Sequence, residues 1–197
     1  MSYGLSVYLV DLALVRGAIG SGDVKLRRMI GGRFKQKMAQ ADEWFEDQIQ
    51  DGAPPRYEAL RAVIEGGPFD KNFAFQYGYA YQMICEFHGR YLFNNHFSPF
   101  RGAWLEEVDK GFEQLGVKAV GVKAVYDTPP APIPSSDLPC YGEWTVEACR
   151  EGLAQWAASP PEQRDEVDDE VLAAIESCVD WMREADAHDR GIAIFMA

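Results

Sequence analysis

Between Phe69 and Phe100 the chain places 11 of its 25 aromatic residues. Rings at that density cannot all be left in water, so the rest of the chain has to enclose this stretch. Its first half reads two ways. Phe73, Phe75, Tyr77, Tyr79 and Tyr81 alternate with small or polar residues, as in a strand. Phe73, Tyr77, Ala80, Tyr81, Ile84, Phe87 and His88 also share one helical face, and that pattern outlasts an ordinary strand. Length therefore predicts a helix over 73–88, opened by Asn72 and stopped by Gly89. Rings at every second position of a helix emerge on several faces, which makes this helix a buried pillar.

The segments around it read mostly as helix. Ser2 to Val10 is apolar on both faces, the pattern of a covered strand, and Asp11 is placed to cap a short helix ended by Gly20-Ser21-Gly22. Ser21 or Asp23 caps a basic segment whose charges read as a solvated helix face. One long helix is expected from Phe34 to Gly52, with Met38, Ala41, Phe45 and Ile49 inward. Pro54-Pro55 opens another, closed by Gly66-Gly67. Residues 90–100 read as a loop anchored by Tyr91, Leu92, Phe93, Phe97 and Phe100. A helix follows from about Gly102 to Leu115. Over 117–126 strand and helix are nearly balanced, and shared-face spacing favours helix. The prolines from Thr128 to Pro139 leave extended chain, read as a strap over a single domain spanning 1–197. Thr145 caps a helix, Ser159-Pro160-Pro161-Glu162 matches a capping box, and a strong apolar stripe runs to about Ala187. The acids at Asp165, Glu166 and Asp168–Glu170 lie near a helix start, where the macrodipole favours them; a metal-binding acidic cluster is the alternative, against which the spacing matches no calcium loop. Ile192 to Met196 reads as a final strand.

Length and charge bound the function classes. A chain of 197 residues buries enough surface to fold without a metal or disulfide staple. A formal net charge of −12 opposes nonspecific attraction to nucleic acid or to an anionic membrane, so neither is expected as a partner. Four dispersed cysteines without a C-x-x-C pair read as reduced thiols, and the first ten residues form neither a signal peptide nor a span. A cytoplasmic location is the resulting expectation.

Strands at both ends and helices between them predict a mixed, predominantly helical α/β fold. The terminal strands should share one small sheet, because an isolated strand leaves its backbone groups unpaired. The succession M-S-Y-G-L-S-V-Y-L-V-D, Y-G-Y-A-Y-Q-M-I-C-E-F-H-G, F-S-P-F-R-G-A-W and P-I-P-S-S-D-L-P-C-Y-G resembles an uncharacterised bacterial family, largely actinobacterial, of unknown function. The closing V-D-W-M-R-E-A-D-A-H-D-R-G-I-A-I-F-M-A is similar to the end of the YfbM-like proteins, small α/β domains. Those resemblances imply a mixed α/β fold and bring no catalytic residues with them.

No dinucleotide fingerprint, P-loop, nucleophile elbow or H-E-x-x-H zinc motif is present in the sequence. The one constellation with chemistry to offer lies at the far end of the aromatic stretch. Cys85, His88 and His96 could supply a thiolate and an acid–base pair, or be ordinary core and helix-end residues. Asn94, Asn95, Arg101, Trp104 and Tyr141 could line a polar–aromatic pocket or partner face. No metal and no cofactor are expected. The reading is a binding or regulatory protein acting on a protein partner or small-molecule ligand. The alternative is a small-molecule enzyme using the Cys/His group.

Overall fold

The computed structural model describes residues 2–197. In chain order the elements are β1 (Leu5–Val10), α1 (Leu12–Ala18), α2 (Val24–Arg33), α3 (Lys35–Trp44), α4 (Glu46–Gln50) and α5 (Arg56–Glu65). A 3-10 turn (Lys71–Phe73) leads into α6 (Ala74–His88), followed by β2 (Arg90–Tyr91), a 3-10 turn (Asn95–Phe97) and α7 (Trp104–Gln114). A further 3-10 helix (Val122–Tyr126), β3 (Cys140–Trp144), α8 (Val146–Ala158), α9 (Pro161–Arg164), α10 (Asp169–His188) and β4 (Gly191–Met196) complete the chain. They form two compact units. A sheet unit comprises Met1–Leu12, Gly89–Asp127 and Tyr141–Ala197, and a helical unit Ala13–His88 with Thr128–Cys140.

The sheet unit is built on the two ends of the chain, as their apolar patterning predicts. Its strand order is β2-β1-β4-β3. β1 and β4 run antiparallel in the middle, in register from Leu5 opposite Met196 to Val10 opposite Gly191. Every residue of β4 is buried, which explains why Ile192–Met196 is apolar throughout rather than alternating. α10 packs on both central strands and on α7 and α8. Its start and stop are local: the Asp168 carboxylate accepts from the Glu170 and Val171 amides, and Asp189 closes the helix in the left-handed region at φ 51°. Gly142 is required by contact, since a Cβ there would lie 2.1 Å from the Ala124 carbonyl oxygen.

In the helical unit α5 packs along α6, and α2 and α3 pack on α5. α6 confirms the helical reading of the aromatic run and buries residues on several faces, among them Gln76, Tyr77, Tyr81, Ile84 and Cys85. The rings outside that set find partners too: Phe75 and Tyr79 lie 5.1 and 5.7 Å from Phe45. Arg56, 3% exposed, lays its guanidinium over Tyr79 at 4.5 Å.

Several local expectations are corrected. The helix expected from Phe34 to Gly52 is two, broken at Phe45 (φ −106°, ψ 26°), a bend that turns this ring toward α6. Asp70, not Asn72, caps the entry to α6. Ser159 does not open α9 but closes α8 as its C-cap, its amide donating to the Trp156 carbonyl. Pro160 is itself the N-cap of α9, so the serine falls one residue early. The loop at 90–100 contains the short strand β2, and two of its expected anchors, Tyr91 and Phe93, are 53% and 71% exposed. β3 is not legible in the sequence, because Cys140–Trp144 follows the prolines without an alternating pattern. Only Val122–Tyr126 of the 117–126 stretch is helical, as a 3-10 helix.

Candidate functional site

The segment after β2 is fixed to the sheet unit by backbone and side-chain bonds that the sequence does not advertise. The Leu92 amide donates to the Val7 carbonyl at 2.8 Å, and the Phe100 amide and carbonyl pair with those of Tyr3. Asn94 is buried. Its Nδ2 donates to the Leu5 carbonyl and its Oδ1 accepts from the Tyr91 hydroxyl at 2.6 Å. The Trp181 indole N–H, from α10, donates to the Phe93 carbonyl at 2.7 Å, and the Trp181 ring lies 5.3 Å from that of buried Phe97. Trp104, at the first turn of α7, donates its indole N–H to the His96 carbonyl at 2.8 Å. These bonds leave little freedom to the backbone that carries His96 and Arg101.

Between this segment and the start of α10 lies a cavity of about 550 Å³. His96, Pro99, Phe100 and Arg101 line it from the segment, Trp104 from α7, and Asp169, Glu170 and Ala173 from α10. Its size is that of a small-molecule pocket. Trp104 has spent its one polar atom on His96, so its remaining surface is apolar. Asp168 caps α10, so the carboxylates of Asp169 and Glu170 are not needed for capping. A guanidinium, an imidazole and two carboxylates thus face one cavity, yet no ion pair forms between them among the described residues.

A second cavity of about 550 Å³ lies beside Asp109, Glu113 and Lys118. There the Asp109 acceptors are already used. The two Asp109 oxygens accept from the Val122 and Lys123 amides at 2.7 and 3.1 Å, while Gln155 Oε1 accepts from the Lys118 and Ala119 amides. Burial pushes the Asp109 carboxyl above its ordinary range, partly offset by those two amide bonds. The side chain serves as a splint for the 3-10 helix at Val122–Tyr126.

Of the residues singled out from sequence, His96, Arg101 and Trp104 come together at the first cavity. Asn94 stands behind its wall as a buried tie, and Asn95 is an exposed residue of the 3-10 turn. Tyr141 lies on β3, where its hydroxyl donates to Glu143 Oε2 at 2.5 Å and its ring lies 5.2 Å from Phe195. Cys85 and His88 belong to α6 of the helical unit, His96 to the sheet unit. Cys85 is fully buried, and desolvation drives its thiol far above the usual thiol range, with a partial offset from a Tyr81 hydrogen bond. Among the described residues no group of three or more His, Cys, Asp and Glu is arranged to hold a metal ion, and no helix is long and apolar enough to cross a membrane. The acids of α10 are lining residues that the sequence places only at a helix start, where the macrodipole favours them. No local signal ties Asp169 to Arg101, because only the packing of α10 on the 95–104 segment brings them to one cavity.

The fold and site therefore define a predominantly helical α/β protein with a charged, aromatic-walled cavity beside a four-stranded sheet. Along residues 1–197 the chain matches the model of a domain of unknown function, DUF7691, and it belongs to that family. No curated protein and no solved structure matches the chain.

Proposed function

We propose that the protein works by binding rather than by catalysis, and that the cavity between the 95–104 segment and α10 takes a small polar ligand whose occupancy is passed to a protein partner. The observation that carries this reading is the gathering of charges of both signs, unpaired with one another among the described residues, with an aromatic wall, in a cavity braced by the buried Asn94–Leu5 bond and the Trp104–His96 bond. A partner role is supported by Tyr91 and Phe93, exposed aromatic residues in the segment that continues into the cavity wall. The enzyme alternative gains little from Cys85, whose buried thiol lacks the exposure and lowered pKa of a nucleophile. A reducing compartment such as the cytoplasm fits four cysteines that are all free. A distant tie to YfbM-like proteins rests on the closing α10–β4 sequence.

The test is thermal melting against a panel of amino acids, dicarboxylates, polyamines, nucleoside monophosphates and sugar phosphates. A ligand present at about a hundredfold over its Kd stabilises the folded state by about 2.7 kcal/mol. For a chain of this size that raises Tm by roughly 5–10 °C. At least one class should do so for the wild type and not for Arg101→Gln. Flat melting curves across the whole panel would remove the reading.

A further inference from the structure

We infer that the ligand of this cavity is a free amino acid with an apolar side chain, held as a zwitterion between Arg101 and the carboxylates of Asp169 and Glu170; this rests on the binding reading above.

The charges themselves supply the selection. Arg101 from one wall and Asp169 and Glu170 from the other line one cavity without forming an ion pair with each other. Opposite charges that face one space and stay apart match a ligand that bridges them with a carboxylate at one end and an ammonium at the other. A guanidinium presents its donors as a planar fork suited to a carboxylate. The acids at the start of α10 offer acceptors only, the complement of an ammonium. A ligand with a single charge satisfies half of this set and leaves the other half facing it.

Long-range electrostatics point the same way. With a net charge of −12 the protein repels anions at a distance, whereas a zwitterion of zero net charge meets no such barrier. The remaining lining favours an apolar side chain. Pro99, Phe100 and Ala173 have no polar side-chain atom, and Trp104 has already committed its indole N–H to His96. Desolvating such a side chain against these surfaces adds to binding at roughly 25 cal/mol per Å² of apolar area removed from water.

Isothermal titration of the full chain with L-phenylalanine, L-leucine and L-methionine tests the assignment. Each is compared with its N-acetyl and its carboxamide form, which lack the ammonium and the carboxylate respectively. The expected result is saturable 1:1 binding of at least one free amino acid and a loss of tenfold or more on blocking either end. Arg101→Gln should weaken the free amino acid by about tenfold and leave the carboxamide unchanged. The double change Asp169→Asn with Glu170→Gln should do the converse, sparing the N-acetyl form. Equal binding of free and blocked forms overturns the zwitterion assignment. So does Arg101-dependent stabilisation by a dicarboxylate or a nucleotide with none by amino acids, an outcome that leaves the binding reading standing. If no class in the panel binds, both fall.

Discussion

Replacing Asn94 by alanine should unfasten the cavity wall from the sheet. The side chain is 4% exposed and joins two elements, donating to the Leu5 carbonyl of β1 and accepting from the Tyr91 hydroxyl of β2. Alanine removes both bonds. Each ordinarily contributes about 1 kcal/mol net, and leaving the buried Leu5 carbonyl short of a partner adds to that, so the loss is about 2–3 kcal/mol. In a chain of 197 residues this lowers Tm by roughly 4–12 °C. Urea unfolding of wild type and variant under identical buffer conditions measures it, with the midpoint moving and the slope unchanged. Asn94→Asp sharpens the test. An aspartate there keeps the shape but turns an acceptor toward a carbonyl, so burial and the missing donor raise its folded pKa above the ordinary value near 3.9. The neutral acid can still donate, so the variant approaches wild type below about pH 4. The penalty then grows by about 1.4 kcal/mol per pH unit as pH rises toward the folded pKa. If Asn94→Ala lies within 0.5 kcal/mol of wild type, or the Asn94→Asp gap ignores pH, Asn94 does not tie the wall to the sheet.

Other expectations are equally open to measurement. In the native protein a thiol reagent near pH 8 should modify one cysteine of four, Cys140, which is part-exposed, whereas Cys85, Cys149 and Cys178 should need denaturant. Desolvation raises the Cys140 thiol as well, so its labelling should still be accelerating above the pH where a free cysteine levels off; rapid native labelling of Cys85 would restore the nucleophile hypothesis. Gly142→Ala places a methyl 2.1 Å from the Ala124 oxygen and 2.6 Å from the Val125 nitrogen. Both are backbone atoms that cannot rotate away, so a cost of about 3 kcal/mol is expected by chemical denaturation, and a neutral result would contradict the close approach of β3 to the 3-10 helix. Arg56→Ala should cost about 2–4 kcal/mol through lost packing on Tyr79 and Phe45. Burial lowers that guanidinium to about 10, so it stays protonated in folded and unfolded chains at neutral pH. Its contribution should therefore be flat from about pH 6 to 9, changing only where the folded form releases its proton first. A difference that varies across the neutral range would mean another group carries the effect.

Much of this architecture is written in short-range pattern. The aromatic run declares α6 because its apolar residues, at mixed spacing over 73–88, outlast any strand of about 5–6 residues. Asp23, Thr145 and the left-handed Gly66 and Gly116 punctuate helices through chemistry confined to a few neighbouring residues. The pairing of the chain's two ends follows from a general requirement, that every buried strand satisfy its backbone. Where the reading failed, the decisive partner was remote. The break at Phe45 depends on rings of α6, and β3 exists because β4 offers an edge to it.

The candidate site divides along the same line. Sequence alone marked the stretch from His88 to Arg101, with Trp104 beyond it, as the place where polar and aromatic residues concentrate. Tertiary structure decided which of them share a space. It placed Cys85 in a sealed helix interior, turned Asn94 into a buried tie, and set His96, Arg101 and Trp104 opposite Asp169 and Glu170. Composition and periodicity report which face of an element is buried, because that depends on spacing within the element. Which two charged surfaces meet across a cavity depends on how distant elements dock on the sheet, and residues as far apart as Arg101 and Asp169 are joined only by that docking.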